Sequence, residues 1–528
     1  MESDHLKSHS LWSATASMPV YPPLSANLSV EVCVIGAGIA GLTAAYQLAR
    51  QGVSVAVIEA LGVGDGETGH TTAHIAVPDD RYSHIEESYG GDAAKQVADS
   101  FAAAAELIES IVADEHIDCE FRRLDGFLFA RNATQQQSLE AELAAARRAG
   151  VAVGRTDRLP FDARVDGPFL CFPNQAQFHP LRYLAGLARA VETRRAAIYC
   201  GSRALDIEET ADGVNVKTPT GRVHADAVVV ATNTPFNDRV SIHVKQNAYQ
   251  TYVVASLIKK GAIPPMLLWD DGDPYHYVRI AEGTDEEHDL LIVGGADHKT
   301  GQEPDPQEHY RAIEEWTREH FPQAGPAAYR WSGEVMEPLD GIAYLGRNPG
   351  SKNVYVITGD SGNGISHGTI GGMLVADLIL GKQNPWLSIY DPSRKPLKEA
   401  VEFIKEQTNI AAQYTDWISS GDEPNAAALL PGEGALIRHG LKKVAVFRDE
   451  HGAVHCHSAK CPHLGCVVQW NATEQTWDCP CHGSRFSAYG SVLHGPAVSG
   501  LATLEDDELQ DIIGADKPRV PAGEQPRT

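Results

Sequence analysis

Four cysteines and two histidines share the twenty-three positions from Cys461 to Gly483, CPHLGCVVQWNATEQTWDCPCHG. Thiolates and imidazoles at this density are metal donors. They form two close pairs, Cys461–x–His463 and Cys479–x–x–His482, with fifteen residues between His463 and Cys479. Paired ligands separated by a loop suit structural zinc, although these are not two CxxC knuckles. Each pair offers one thiolate and one imidazole. That set also suits a [2Fe–2S] cluster in which one iron takes both thiolates and the other both imidazoles. Cys466 and Cys481, one per loop and expected in matching places, are spare, and zinc would not need them.

A second chemistry stands far upstream. VEVCVIGAGIAGLTAAYQLARQGVSVAVIEA, Val30 to Ala60, reads as strand, glycine-rich turn, helix and strand. Gly36 permits the tight turn, Gly38 lets a pyrophosphate approach the backbone, and Gly41 lets the helix pack on the strand. The helix N-terminus offers free N–H groups to phosphate, and Glu59, ending the second strand, can accept from ribose hydroxyls. A glycine-rich turn without a ligand is the plain alternative. Two later segments bear on the cofactor: HADAVVVATNTPF (224–236), a strand entering the turn Ala231, Thr232, Asn233, and NVYVITGDSGNGISHGTIGGMLVADLILG (353–381), a strand, glycine-rich turn and helix. A simple NAD domain does not need the latter.

With FHPLRYLAGLARAV (178–191) and WSGEVMEPLDGIAYLG (331–346), these segments resemble the glycine/D-amino-acid oxidase (DAO-type) superfamily of FAD-dependent oxidoreductases over residues 28 to 385. The resemblance implies FAD contacts at Gly36, Gly38, Ala40 and Gly41, at Glu59 and Ala60, and in the pyrophosphate-wrapping stretch GETGHTTAHIAV at Thr68, Gly69, His70, Thr71 and Thr72. It implies further contacts at Ala231, Thr232 and Asn233 and at Gly359, Asp360, Gly362, Gly364, Ile365 and Ser366. His70 falls near where some relatives attach flavin covalently; a hydrogen-bonding loop histidine is the plainer reading.

The remainder of that region is expected to form an α+β substrate domain. Asp92–Glu115 and Ala133–Gly150 read as amphipathic helices, and AYQTYVVASLI, PYHYVRIAE and DLLIVGGADH as strands over the flavin. Strand alternation puts Tyr275, Tyr277 and Arg279 on one face and His276 on the other. Tyr275, Tyr277, Arg279 and Tyr252 are the candidate active-site wall, against the alternative that strand aromatics are core. DAO-type enzymes acting on amino acids place a carboxylate-clamping arginine shortly before the DG motif. Glu334, Val335 and Met336 stand there instead, which argues against an α-amino-acid substrate and leaves a neutral or cationic amine open.

CPHLGC and CPCHGS resemble the two cluster loops of Rieske proteins, most closely the high-potential subunits of respiratory and photosynthetic cytochrome complexes. The resemblance implies Cys461, His463, Cys479 and His482 as [2Fe–2S] ligands and a Cys466–Cys481 disulfide tying the loops. It also implies a covering proline loop at Gly495–Ala497 and a cluster-bonding hydroxyl at Ser484. Phe486 replaces the family tyrosine and cannot donate, which implies a potential below the highest members.

At 528 residues the chain can bury several cores, and a formal net charge of −26 argues against nucleic-acid or anionic-membrane partners. The start carries no secretory signal, and the apolar run Val30–Ala49 is glycine-interrupted, so a cytoplasmic protein without a membrane segment is expected. Five further cysteines are scattered, as in a reducing compartment.

The expected organisation is an N-terminal extension (1–27) and an α/β Rossmann-like FAD domain with its α+β substrate domain (28–385). FAD segments fall at about 28–85, 150–240 and 330–385, and substrate segments at about 86–149 and 241–329. A helical linker (386–424), a small all-β Rieske domain (425–515) and a tail (516–528) follow. Together they imply oxidation of a small amine or amino-acid-like substrate at FAD, with electrons leaving through the cluster to an unidentified acceptor. Two other readings are a reductase with electrons entering at the cluster, and an oxidase whose Rieske domain is structural or redox-sensing.

Overall fold

The computed structural model describes residues 9–78, 81–131, 133–237, 242–272, 274–303, 305–395, 409, 413, 426–440 and 442–504. They fall into two compact units, the larger built from 9–300 and 306–395, the smaller chiefly from 426–504.

The larger unit is centred on the strand Leu28–Ile35, which lies parallel between Arg222–Val230 and Val55–Ile58. Val354–Thr358 and Ala196–Tyr199 extend the sheet on the two sides. The central strands carry Val and Ile without alternation because both faces are covered. The helices Ile39–Arg50, Pro180–Glu192 and Gly364–Ile379 contribute to one core, and Leu24, Val214 and Val223 to the other. The first turn must be glycine at two places. Gly36 has φ +109°, and a Cβ there would lie 2.4 Å from the carbonyl oxygen of Ala231. A Cβ on Gly41 would lie 1.9 Å from the carbonyl oxygen of Gly36.

A nine-stranded, mostly antiparallel sheet forms the second layer, running Ala327–Pro338, Gln246–Lys259, His288–Lys299, His276–Glu282, Leu267–Asp270, Arg122–Phe129, Phe169–Gln177, His74–Ile75, with Gly154–Thr156 beside Phe169–Gln177. Its side chains alternate between two cores. Val253, Ala255 and Ile292 join the core shared with the flavin layer; Tyr252, Val254 and Val293 join a second core closed by Tyr310 and Ile313 of the helix Gln307–His320. The two amphipathic helices form as expected, at Gly91–Asp114 and Ala133–Arg148.

The N-terminal stretch is less of an appendage than expected. Ser10 caps a short helix, Leu11–Thr15, whose Leu11 and Trp12 are buried in the main core. At the other end Leu387–Tyr390 is a short helix. The rest of the expected linker beyond Lys395 lies outside the described residues except for 409 and 413, as does the tail.

The smaller unit is all β: Gly434–His439, Lys442–Arg448 and Val454–Ser458 in one antiparallel sheet, and Gln469–Asn471, Thr476–Asp478, Arg485–Ser487 and Val492–His494 in another. Among the described residues no helix is long and apolar enough to cross a membrane.

One buried ion pair anchors the end of the larger unit. Arg394 donates to both carboxylate oxygens of Asp340 at 2.9 Å and lies 3.9 Å over the Tyr344 ring; Tyr89 also donates to Asp340. Burial opposes ionisation of Asp340, but the Arg394 charge and hydrogen bonds hold it below the usual carboxylate range. Arg394→Met would leave that carboxylate buried without its counter-ion, and a loss of roughly 3–5 kcal/mol is expected. A depressed carboxylate contributes stability above its unfolded pKa and loses it as pH falls through the folded value. Calorimetry should therefore find the gap between wild type and variant large at pH 7 and shrinking in acid.

Candidate active site and metal centre

The sequence-derived flavin contacts assemble at the carboxyl ends of the parallel strands, where α/β sheets bind ligands at the switch in strand order. The Gly36–Gly41 turn follows the central strand, and Ala231–Asn233 follows its neighbour, with the Ala231 N–H bonded to the Ile35 carbonyl. Glu59 accepts from the N–H of Ala37 at 2.8 Å and of Leu61 at 2.9 Å; burial raises its carboxyl above the usual range against those bonds. Ala60 follows it, half-buried. Thr68 accepts from the Ile39 N–H, tying the 66–72 stretch to the first turn of the helix that carries Ala40. Gly69 is buried there, and the half-buried His70 points its Nδ1 at the Gly66 carbonyl. Across the site, the left-handed residues Gly359, Ser361 and Gly362 deliver the chain to the helix Gly364–Ile379, with Ile365 and Ser366 buried in its first turn. Thr358 reaches back to the Asn233 carbonyl. The glycine cradle and two helix N-termini fit a dinucleotide such as FAD.

Two of the four candidate wall residues converge on this cradle. Tyr275 Oη comes within 3.5 Å of where a Cβ on Gly362 would stand. Its ring lies 5.6 Å from that of Tyr277, whose hydroxyl bonds Thr251 at 2.8 Å. The other two do not join them. Tyr252 is fully buried in the outer core, its hydroxyl 2.9 Å from His298 Nε2, because it alternates with Thr251 along the strand. Arg279 shares the parity of Tyr277 but is 1% exposed, with its Nη1 donating to the carbonyls of Thr72, Ala73 and Phe178. It braces a loop and presents no charge to a substrate.

His74 and Thr251 join the wall without having been singled out in the sequence. His74 packs edge-on to Tyr277 at 5.8 Å and bonds Thr72 Oγ1. Burial, then the Arg279 charge, drives its pKa down to about 3, so it is a neutral imidazole. Two residues beyond Thr72, it would have been reachable by the alternation of the strand it enters. On the inner face of Ala327–Pro338, Val335 stands opposite Tyr249, and Gly333 lies beside Glu67 and His70. Glu334 is turned to the outer side, with Thr300 3.4 Å from its carboxylate. Glu67 accepts from the Glu334 N–H and Asp360 from the Met336 N–H, while Glu337, on the face of Val335, accepts from Ser361 and pairs with Arg81.

The two cysteine loops are built on one hydrogen-bond frame. Cys461 N–H bonds the Cys466 carbonyl and Gly465 N–H the Cys461 carbonyl; Cys479 N–H bonds the Ser484 carbonyl and Gly483 N–H the Cys479 carbonyl. This frame makes Cys461 equivalent to Cys479 but aligns Cys466 with Ser484 and Cys481 with His463. The spare cysteines therefore do not occupy matching places, and their disulfide joins the neck of one loop to the middle of the other. Cys461 and Cys479 are buried and share a hydrogen bond that, with the Ser484 hydroxyl, holds the Cys461 thiol low. The His463 and His482 rings meet edge-on at 5.0 Å. The sulfurs of Cys466, Cys479 and Cys481 lie within 4.8 Å of one another, but two of these are bonded to each other and so cannot ligate. Two thiols and two imidazoles on neighbouring loops fit a [2Fe–2S] cluster with mixed ligands. Ser484 Oγ accepts from Ala497 N–H, bringing the Gly495–Ala497 loop over the site.

A family model described as FAD dependent oxidoreductase (DAO) matches residues 31–378. The chain belongs to this family. A Rieske [2Fe-2S] domain model matches residues 424–505. The DAO-type chain is 30% identical over 499 residues to the Bacillus subtilis protein YhfW, named for a Rieske 2Fe-2S centre, covering 94% of this chain and 97% of that one. It is 27% identical over 399 residues to the γ-glutamylputrescine oxidoreductase of Escherichia coli, covering 72% and 90%. The glycine oxidase of Geobacillus kaustophilus has the same fold, with a TM-score of 0.59 at 20% identity over 70% of this chain and 99% of that one. FAD and a Rieske cluster are thus the cofactors of an oxidoreductase.

Purified protein should hold one FAD, two irons and two acid-labile sulfides per chain; zinc without sulfide would exclude the cluster. Thiol labelling under denaturing, non-reducing conditions should spare Cys466 and Cys481. Opening that fifteen-residue loop should destabilise the smaller unit by about 3 kcal/mol.

Proposed function

We propose that the chain oxidises a small amine lacking an α-carboxylate, and that electrons leave through the Rieske cluster to an external acceptor. The observation carrying the substrate class is the inner wall at Tyr249, Tyr277 and Val335, where Val335 stands in place of an arginine and the carboxyls of Glu67 and Asp360 lie beside the strand. The cations near it are Lys299, over the Tyr249 ring, and Arg81, already paired with Glu337. A carboxylate would find no arginine fork facing it there, since Arg279 is buried behind the wall and Arg81 is engaged by Glu337 and the Gly341 carbonyl. An ammonium would find two acids. The E. coli relative is named for γ-glutamylputrescine, an amine.

When bound, FAD accepts two electrons as hydride and the cluster carries one at a time. The residues of the chain orient and deprotonate. Tyr275 and Tyr277 shape the approach to the Gly362 turn, and the bond to Thr251 fixes the Tyr277 ring. Asp360, in the same turn, accepts the proton that an ammonium must lose before it can donate hydride. Burial raises its carboxyl to about 7, against the Met336 N–H and helped by the Glu67 and Glu337 charges. The carboxylate form is the base, so kcat/KM for an amine should climb as pH rises through about 7 and then level. Asp360→Asn should flatten that limb.

Direction of flow is tested in Cys461→Ser, which removes a proposed cluster ligand in the smaller unit and none of the flavin-cradle residues. Under anaerobic conditions an amine should bleach the flavin at close to the wild-type rate, because hydride transfer precedes electron exit. Steady-state turnover with a one-electron acceptor should collapse. Unchanged turnover with every acceptor would remove the cluster from the path.

A further inference from the structure

The stretch His70–Ala73 lies outside helix and strand, yet each of its four carbonyls is held by a side chain. Trp331 Nε1 donates to His70 at 2.8 Å and Trp12 Nε1 to Thr71 at 2.6 Å. Arg279 Nη1 donates to Thr72 at 2.7 Å and to Ala73 at 2.9 Å. The three donors come from distant parts of the chain and pack on one another. Trp12 and Trp331 meet edge-on at 6.4 Å, and the Arg279 guanidinium lies 5.2 Å over the Trp12 ring. All three are at most 2% exposed, and no ion pair among the described residues involves Arg279. Thr15 and Trp12 both lean on His179, which fixes the short helix.

Irregular buried backbone normally satisfies its acceptors with neighbouring backbone or water. The rest of the stretch is fixed locally: the His70 and Ala73 N–H groups bond the Glu67 carbonyl and Thr71 Oγ1, and the Thr68 and Thr72 hydroxyls meet the Ile39 N–H and His74 Nδ1. The four side-chain-held carbonyls therefore set its shape. The grip also holds a strained conformation: Ala73 has φ +57°, a region that costs a non-glycine residue on the order of 1 kcal/mol. A free loop would leave it.

We propose that Trp12, Trp331 and Arg279 are positioning residues for FAD, clamping 70–73 in the one shape that receives the cofactor. The helix Leu11–Thr15, which precedes the family match at residue 31, is thereby part of the flavin site. This rests on the assignment of 68–72 to flavin and not on the substrate or on the direction of electron flow. It gives Arg279 a role other than the substrate contact expected from its strand.

The test uses full-length Trp12→Phe, which keeps a ring and removes the N–H, and Arg279→Lys, which keeps the charge but not the fork. Trp316→Phe, on the helix Gln307–His320 that covers the outer core, is the control. A buried carbonyl deprived of its donor should weaken FAD binding by about tenfold or more. Affinity is read by flavin fluorescence on deflavinated protein, and the induced circular dichroism of bound flavin should change too. The electron paramagnetic resonance signal of the cluster and the far-ultraviolet spectrum should remain as in wild type. FAD affinity within twofold of wild type in both folded variants would overturn the proposal. So would loss of flavin, cluster signal and secondary structure together in both, since the clamp would then serve the fold at large. If Trp12→Phe alone fails to fold, Arg279→Lys decides.

Discussion

The larger unit depends on a contact that no side chain could share: the backbone of Gly36 against the Ala231 carbonyl, and that of Gly41 against Gly36. These approaches join the carboxyl ends of two parallel strands and seat a helix directly above them. The other flavin segments are built outward from this point. Glu59 bonds back to Ala37, Thr68 bonds back to Ile39, and Thr358 bonds back to the turn at Asn233. A methyl group at Gly36 would push apart segments more than a hundred residues distant in the chain, and one at Gly41 would lift the helix off the turn that precedes it.

Chemistry in the second layer is sorted by strand parity. Thr251 and Tyr252 are neighbours in sequence and lie on opposite sides of a sheet, one bonded to Tyr277 at the site and the other stacked on His309 in the outer core. His276 and Tyr277 divide in the same way: His276 pairs with the buried Asp270 and stacks on Trp316, away from the flavin. A one-residue slip in either strand would exchange the two sets.

The motifs that need special backbone or soft ligands were legible in the sequence: the glycine turn, the acid ending the second strand, the paired cysteine loops. Strand alternation correctly grouped Tyr275 with Tyr277. It could not show that Arg279, on the same side, is consumed by carbonyls, because those acceptors come from a loop two hundred residues earlier. Tyr252 was misplaced because the aromatic crowding that suggested a wall occurs on both faces. The burial of Trp12 left no mark at all, since a lone Trp in a polar leader has no periodicity to read. In the cysteine loops spacing identified the pairs, but their alignment emerged only from the hydrogen-bond frame, in which Cys466 corresponds to Ser484.

The Asp340–Arg394 pair has a consequence for how the two redox groups share a chain. It pins the larger unit as far as Arg394, and thirty-one residues, 395–425, separate that point from Ala426 in the smaller one. Fully stretched, such a tether spans no more than about 110 Å. The covalent connection therefore fixes one flavin site and one cluster site to each chain, however dilute the protein. Any exchange between the two is first-order in the chain, and dilution cannot separate them.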